Sequence, residues 1–532
     1  MNQLLTLADA VAAHARLTPH KLAVRDSRRS LSYAQWHDRA TRLANGLLGL
    51  GLGKGDRVAL LAYNAAEWME IYAALAAAGL VAVPINFRLT SAELAYIVQH
   101  SEARAFIAQS ELAERVDAVR AELAVPGDAY VAFGQAPAAP GWRDYEALMA
   151  AASTSTPPVL VHPADTSALM YTSGTTGKPK GAIRSHEGST LIALATALEM
   201  GFTRDDTALL VMPMCHANSL YFSHTFVHLG ATCVIDDRPS FNPEALLATL
   251  AGQQVTFTSL VPTHYIMMLS LPAAVKAKYD VSKVDKLMIS SAPARKDTKL
   301  AILEHFCNAK LHELYGSTEA GWVTLLRPHE QIDRLGSVGR EWAGSGPIRL
   351  LDPDGHEVPD GEVGELYSRT PYVFDGYWKN PQKTAEAFRG AWCSVGDMAR
   401  RDADGYIHLV DRKSNMIISG GENVYPSEVE GVLGAHPTIK DVAVVGMPHP
   451  TWGEAVHAVV VLHERAVATQ AELLNWCRGR IAGYKRPQSI AFVAEAEMPR
   501  TATGKILHRV LRDRIAAGGE GADSAESHKP LS

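Results

Sequence analysis

The sequence predicts an α/β protein. The expected order is a large N-terminal domain of two helix-covered, mainly parallel sheets, a small β-barrel-like part, and a small α+β C-terminal domain. Three observations carry this expectation. Short β-rich runs alternate with helical stretches on both sides of a Gly/Ser/Thr/Lys loop at Tyr171–Ala182, the pattern of parallel strands under covering helices. Asp-Gly turns crowd between short strands in SVGREWAGSGPIRLLDPDGHEVPDGEVGELYSRT, which reads as a meander or small barrel. At 532 residues the chain also exceeds the size at which one core keeps growing, so at least two domains are expected.

Taken in order, MNQLLTLADAVAAHARLTP reads as an amphipathic helix. It lacks a basic start and carries Asp9, unlike a signal peptide. LAVRD and SLSYAQW suggest a short hairpin before the helix AQWHDRATRLANGLLGLG, and the glycines that follow read as a helix end and turn. The alternation then begins: RVALLAYN, AAEWMEIYAALAAAG, LVAVPIN, TSAELAYIVQHS and ARAFIAQ. Residues 111–165 are Ala/Pro-rich and say less. Beyond the loop, TALLVMP leads to a helix after His216. ATCVIDD, NPEALLATLAG, VTFTSLVP, a Met-containing helix, KLMISSA, RKDTKLAILEHF and AKLHELYG continue the pattern. Past the meander, helix VYPSEVEGVLGAHP, strands DVAVVGM and AVHAVVVLHE, helix TQAELLNWCRGRIAGY, strand SIAFVAE and helix ILHRVLRDRIA make an α+β segment. The expected domains are 1–412 and 413–515, with a small, polar, disordered tail at 516–532.

Composition narrows the function. A net charge of −6 gives no basic field for nucleic acid. The most apolar run, Ile71–Ile85, is too short for the ~20 residues of a membrane span. Five scattered cysteines without a Cys-x-x-Cys point to reduced thiols and a cytoplasmic protein. His224 and His228 stand four apart, but no third ligand is apparent, so they read as helix-face histidines.

The loop YTSGTTGKPKGA brings hydroxyls (Thr172, Ser173, Thr175, Thr176), glycines (Gly174, Gly177, Gly181) and lysines (Lys178, Lys180) together between two packed elements. Glycines let backbone N–H groups turn toward an anion, and hydroxyls and ammonium groups complete the nest. The loop reads as a polyphosphate cradle. Pro179 after Lys178 separates it from the Gly-Lys-Ser/Thr nucleotide loop. Four further stretches carry unusual chemistry: Tyr315-Gly316-Ser317-Thr318-Glu319, Asp397 in SVGDMA, Arg412 with Gly420-Gly421-Glu422, and Lys505 in PRTATGK.

In this order, YTSGTTGKPKG, YGSTEAG, SVGDMA, DRKSNMIISGGENVYPSEVE and PRTATGK closely resemble the adenylate-forming superfamily of acyl-CoA synthetases, adenylation domains and beetle luciferases. GELYSRTPYVFDGYWKNPQKTAEAF matches as well, and the resemblance runs from about Leu31 to about Arg512. It implies that a carboxylate attacks the α-phosphate of ATP, pyrophosphate leaves, and the thiol of coenzyme A then displaces AMP. By the same resemblance, Thr172, Ser173, Gly174, Thr175, Thr176, Gly177, Lys178 and Lys180 grip the β- and γ-phosphates. Thr318 meets the α-phosphate and Glu319 holds Mg²⁺, a hard cation suited to a carboxylate. Tyr315, with Gly316 and Ser317, lies against the adenine opposite Ser291, Ala292 and Pro293. Asp397 takes the ribose hydroxyls beside Arg412, and Lys505 bridges acyl carboxylate and α-phosphate. Gly420, Gly421 and Glu422 meet the pantetheine once a mobile C-terminal domain has turned about Ser414, where relatives usually have Asp or Lys. His216 gates the acyl pocket, lined by Asn218, Leu220, Gly321 and Trp322.

These readings converge on an AMP-forming acid–CoA ligase that uses ATP, Mg²⁺ and coenzyme A. The alternatives are an adenylating enzyme that loads a carrier protein and a nucleotide-binding protein without catalysis. No Arg or Lys is expected in the pocket, and a buried unpaired charge is costly. The expected substrate is therefore an apolar monocarboxylic acid, a fatty acid slightly ahead of an aromatic or alicyclic one. Trp322 is expected to close the far end of the pocket.

Overall fold

The computed structural model describes residues 6–136, 139–172, 178–290, 294–419, 422–500 and 506–518. The chain divides into two compact units: residues 1–349, 367–395 and 405–407 form the first, and 350–366, 396–404 and 408–532 the second.

In the first unit the predicted alternation becomes two sheets. One has eight strands in the order Gly376–Tyr377, Lys180–Ser185, Thr166–Thr172, Val81–Ile85, Arg57–Leu61, Ala103–Gln109, Tyr130–Phe133, Arg143–Asp144. It is parallel from Thr166–Thr172 to Arg143–Asp144, and antiparallel where Lys180–Ser185 and Gly376–Tyr377 are added. The other has nine: Arg340–Glu341, Gly321–Leu326, Lys310–Ser317, Lys286–Ser290, Phe257–Leu260, Thr207–Leu210, Thr232–Ile235, Leu22–Arg25, Ser30–Ser32. The N-terminal hairpin expected from LAVRD and SLSYAQW exists, and it joins this second sheet beside Thr232–Ile235.

Strands covered on both faces must be apolar on both, and those of the second sheet are. Ala208, Leu210, Phe257 and Met288 face one core, while Leu209, Leu260, Leu287 and Ile289 face another. Helix Ala66–Ala78 is buried along almost its whole length. Its Glu70 is fully buried and takes Arg39 Nε at 2.6 Å and the Tyr145 hydroxyl at 2.9 Å. Burying a carboxylate is costly unless it is paired and hydrogen-bonded in this way.

The second unit contains the β-rich part. Strands Arg349–Leu351, Val363–Tyr367, Asp397–Arg401 and Ile407–Arg412 make an open four-stranded sheet, not a closed barrel. A five-stranded sheet follows, built on the long hairpin Ile439–His449 and Gly453–Leu462. Val442 and Val444 face helices Pro426–Gly434 and Gln470–Trp476. Ala443 and Val445 face Leu511 of helix His508–Gly518. The helix expected over TQAELLNWCRGRIAGY ends at Trp476, whose carbonyl accepts from Arg480 Nη1 at 2.9 Å. The expected tail from residue 519 onward lies outside the described residues. Among the described residues no helix is long and apolar enough to cross a membrane.

Candidate active site

The proposed phosphate loop joins two antiparallel strands, Thr166–Thr172 and Lys180–Ser185, with Thr172 opposite Lys180. Ser173, Gly174, Thr175, Thr176 and Gly177 lie outside the described residues. Both lysines rest on aromatic faces: Lys178 Nζ is 5.4 Å from the Tyr96 ring centroid, and Lys180 Nζ 4.1 Å from that of Tyr377. The ring quadrupole attracts an ammonium there, which narrows the directions these long side chains sample. The Tyr96 hydroxyl donates to the Pro179 carbonyl at 3.2 Å, and the Tyr171 hydroxyl meets His100 Nδ1 at 2.8 Å.

Strand Lys310–Ser317 delivers Tyr315, Gly316 and Ser317 to a tight turn, after which Gly321–Leu326 runs back. The register slips between Tyr315 and Gly316. A Cβ on Gly316 would come within 2.3 Å of the Gly321 carbonyl oxygen, so glycine alone fits. Gly321 has φ of 72°, and a Cβ there would stand 2.6 Å from the Tyr372 ring. Its smallness thus serves the turn and its packing on Tyr372. Ser317 Oγ accepts from the Ala320 N–H at 2.9 Å. Arg184 is buried and donates from Nη1 to the Thr318 and Glu319 carbonyls, both at 3.3 Å, and from Nη2 to the Tyr372 carbonyl at 2.7 Å.

That clamp presents Glu319. Its Oε1 accepts from the Thr172 hydroxyl at 3.2 Å and the Tyr377 hydroxyl at 2.8 Å. No hydrogen bond to Oε2 is formed among the described residues, although the side chain is only 6% exposed. A buried carboxylate with one oxygen fixed and no bond to the other among the described residues fits a hard divalent cation, so the residues present suit Mg²⁺. The structure therefore brings Thr172, Lys180, Thr318 and Glu319 to one end of the eight-stranded sheet and its neighbouring turn.

On the acyl side, His216 is the N-cap of helix Ala217–Leu229, but its imidazole makes no cap bond. Burial, then the nearby Arg88 charge, pushes its pKa down to about 4, so the ring is neutral near pH 7. Asn218 Nδ2 donates to Ser259 Oγ and Ser290 Oγ, each at 3.0 Å. Leu220 lines a small cavity with His186, Ser189, Tyr221 and His224. Trp322 is turned into the core: its indole N–H donates to Thr196 Oγ1 at 2.8 Å, and its ring packs on Tyr221, Phe222 and Trp342. Ser291, Ala292 and Pro293 lie outside the described residues.

Within the second unit, Arg412 Nε is 3.1 Å from Asp397 Oδ1, which brings together the two residues expected at the ribose. Ser414 is exposed on the turn after strand Ile407–Arg412, its hydroxyl 3.5 Å from Asn415 Oδ1. Glu422 opens strand Glu422–Val424 opposite Ser419 and is exposed. Gly420, Gly421 and Lys505 lie outside the described residues.

Sequence reading missed Arg184, Tyr377, Ser259 and Ser290. Tyr377 stands in the YVFDGYW stretch that carried part of the resemblance, which was the available signal. The bonds of Arg184 go to backbone carbonyls, and no residue pattern announces those.

Comparison with known proteins gives the family. Residues 11–378 match the AMP-binding enzyme family and residues 428–505 the AMP-binding enzyme C-terminal domain. A feruloyl-CoA synthase of Amycolatopsis is 38% identical over 94% of this chain and 97% of its own. A long-chain-fatty-acid–CoA ligase of Mycobacterium tuberculosis is 34% identical over 92% and 93%. The crystal structure of the anthranilate CoA ligase AuaEII in complex with anthranoyl-AMP superposes with a TM-score of 0.87 at 27% identity, covering 98% of this chain and 99% of that one. The matches to both family models and to these ligases show that the chain belongs to the AMP-binding enzyme family and is an AMP-forming acid–thiol ligase.

Proposed function

We propose that this chain is an ATP- and Mg²⁺-dependent carboxylic acid–CoA ligase. The observation that carries the reading is the buried Glu319 carboxylate, fixed on one side by Thr172 and Tyr377 beside Lys180. Positive charge and hydroxyl donors thus stand ready next to a cation-binding oxygen, as the attack of one anion on another requires. A carboxylate oxygen attacks the α-phosphorus, the bond to pyrophosphate breaks, and acyl-AMP forms. The CoA sulfur then attacks the acyl carbon, its proton is lost, and AMP leaves. Thr172, Lys178 and Lys180 bind the departing phosphates, Thr318 orients the α-phosphate, and neutral His216 stands at the acyl entry. Mg²⁺, when bound, supplies charge neutralisation between phosphates. Asp397 with Arg412 binds the ribose, Lys505 stabilises the adenylation transition state, and Glu422 with its glycines serves the thiol step.

The acid is an apolar monocarboxylate, and a ring-bearing acid now stands ahead of a fatty acid. The feruloyl-CoA synthase match supports this order. Five unpaired cysteines support a reducing, cytoplasmic setting. The test is pyrophosphate release over a panel of aryl and straight-chain acids, with and without CoA. CoA-dependent release of AMP is expected. Turnover that requires a carrier protein in place of CoA, or none at all, would overturn the reading.

A further inference from the structure

The acyl side of the site contains a hydrogen-bonded group that an apolar pocket does not need. Strand Phe257–Leu260 and strand Lys286–Ser290 are parallel neighbours, and Ser259 and Ser290 stand at their C-terminal ends. Side chains alternate across a strand. Ser259 therefore shares the face of Phe257, and Ser290 that of Met288, both of which belong to the core under helix Ala217–Leu229. The first turn of that helix brings Asn218 over the same corner, where its amide meets both hydroxyl oxygens at 3.0 Å. The carboxyl ends of parallel strands are where open α/β sheets bind ligands. Ser259 is 5% exposed and Ser290 4%.

The hydrogen count leaves capacity over. With the amide N–H groups given to the two serines, each serine still has its own O–H to donate, and neither hydroxyl forms a further hydrogen bond among the described residues. If the amide is turned the other way, its carbonyl accepts both hydroxyls and its two N–H donors remain. Either orientation leaves at least one donor for a ligand oxygen, and a buried donor without a partner is costly. His216 is neutral here, so it does not compete as a cation for an anionic substituent.

Resting on the ligase reading above, we propose that Asn218, Ser259 and Ser290 form the specificity element of the acyl site. They select an acid that carries an uncharged oxygen function (a phenolic hydroxyl, an ether or a ketone) over the unsubstituted acid of the same length. A site built to hydrogen-bond a substituent discriminates against the analogue lacking it, because its own polar groups are then left unpaired.

The experiment compares kcat/KM for acyl-AMP formation across matched arylpropenoic and arylalkanoic acids: unsubstituted, hydroxy-, methoxy- and oxo-substituted, with straight-chain acids alongside. The wild type is expected to favour at least one oxygen-bearing class by about tenfold or more over its unsubstituted counterpart. In Asn218→Leu, and separately in Ser259→Ala/Ser290→Ala, that ratio is expected to fall toward one. The serine variant keeps the test valid if the leucine variant does not fold, as judged by thermal melting. Equal kcat/KM for substituted and unsubstituted acids in the wild type overturns the inference alone. So does a ratio that persists in the folded variants. Absence of pyrophosphate release with every acid of the panel overturns the ligase reading and the inference with it.

Discussion

At the scale of single residues the proposed chemistry turns on Glu319, because two hydroxyls hold one of its oxygens and no bond to the other is formed among the described residues. Glu319→Gln is expected to lower the pyrophosphate-exchange rate by about 10²–10³-fold, the range for a removed transition-state stabiliser. Tyr377→Phe leaves the carboxylate in place and removes only one of its fixing bonds. We expect about a tenfold loss, together with a higher Mg²⁺ concentration for half-maximal rate. An unchanged Mg²⁺ titration would separate Tyr377 from the cation. Thr172 and Glu319 were legible in sequence because the hydroxyl-rich loop and YGSTE are local signatures. Tyr377 was not, since its partner lies 58 residues away and only folding reveals the pair. Trp322 shows the converse. Its place beside YGSTEAG suggested a pocket wall, yet its N–H finds Thr196 and its ring finds three aromatics, because an indole buries most surface where it can also satisfy its donor. Trp322→Gly is therefore expected to cost about 3–5 kcal/mol of stability, read as a drop in melting temperature, before any change in chain-length preference.

Among the elements, the turn between strands Lys310–Ser317 and Gly321–Leu326 is the one on which geometry depends most. Arg184 ties two of its carbonyls to that of Tyr372, and Gly321 lets the chain pass the Tyr372 ring. Gly321→Ala must force an L-residue to φ of 72° and displace that ring. A loss beyond ~1 kcal/mol is expected, with KM for ATP raised more than the melting temperature alone explains. A variant with wild-type KM would show that the turn tolerates the shift. The alternation of apolar runs with helices made most strands of both sheets readable, since a strand buried on two faces cannot hide its composition. Strand order was not readable. Leu22–Arg25 pairs with Thr232–Ile235 across the first unit, and no local pattern encodes a partner so distant. The small β part was read as barrel-like from its turns, but closure depends on which edges pair, and the sheet is open.

The molecule as a whole carries several histidines held neutral by burial. The pKa of His186 is pushed down to about 4, that of His224 to about 3 and that of His312 to about 4, desolvation being the largest cause in each. All three are nearly inaccessible. The unfolded chain therefore binds protons below about pH 6.5 that the folded chain refuses, and stability falls as pH falls from there toward 4. His508 has the opposite sign: burial lowers its pKa, but the bond to Glu430 at 2.7 Å and the nearby Glu430 and Asp411 charges together outweigh it and raise the value. Its contribution is therefore full below about pH 6.5 and fades as pH rises through the raised value. Melting temperature is expected to drop on acidification from pH 7 to 5. His224→Phe is expected to flatten that slope, and an unaltered slope would remove His224 from the effect. The two half-reactions provide a second test at this scale. Ser414→Pro fixes φ at the exposed turn after Arg412, and is expected to spare acyl-AMP formation while slowing thioester formation. Equal effects on both steps would place the pivot elsewhere.

Among the described residues, the hydrogen bonds of the Asn218 side chain run to Ser259 and Ser290, and those of the Glu319 carboxylate to Thr172 and Tyr377. The group proposed to read the acid and the group proposed to handle the phosphates share no partner among the described residues. A lineage carrying this scaffold can therefore exchange its diet by mutating one corner, with the reaction inherited intact. Combined substitutions, one from each group, should behave as independent inherited traits whose effects on rate simply multiply.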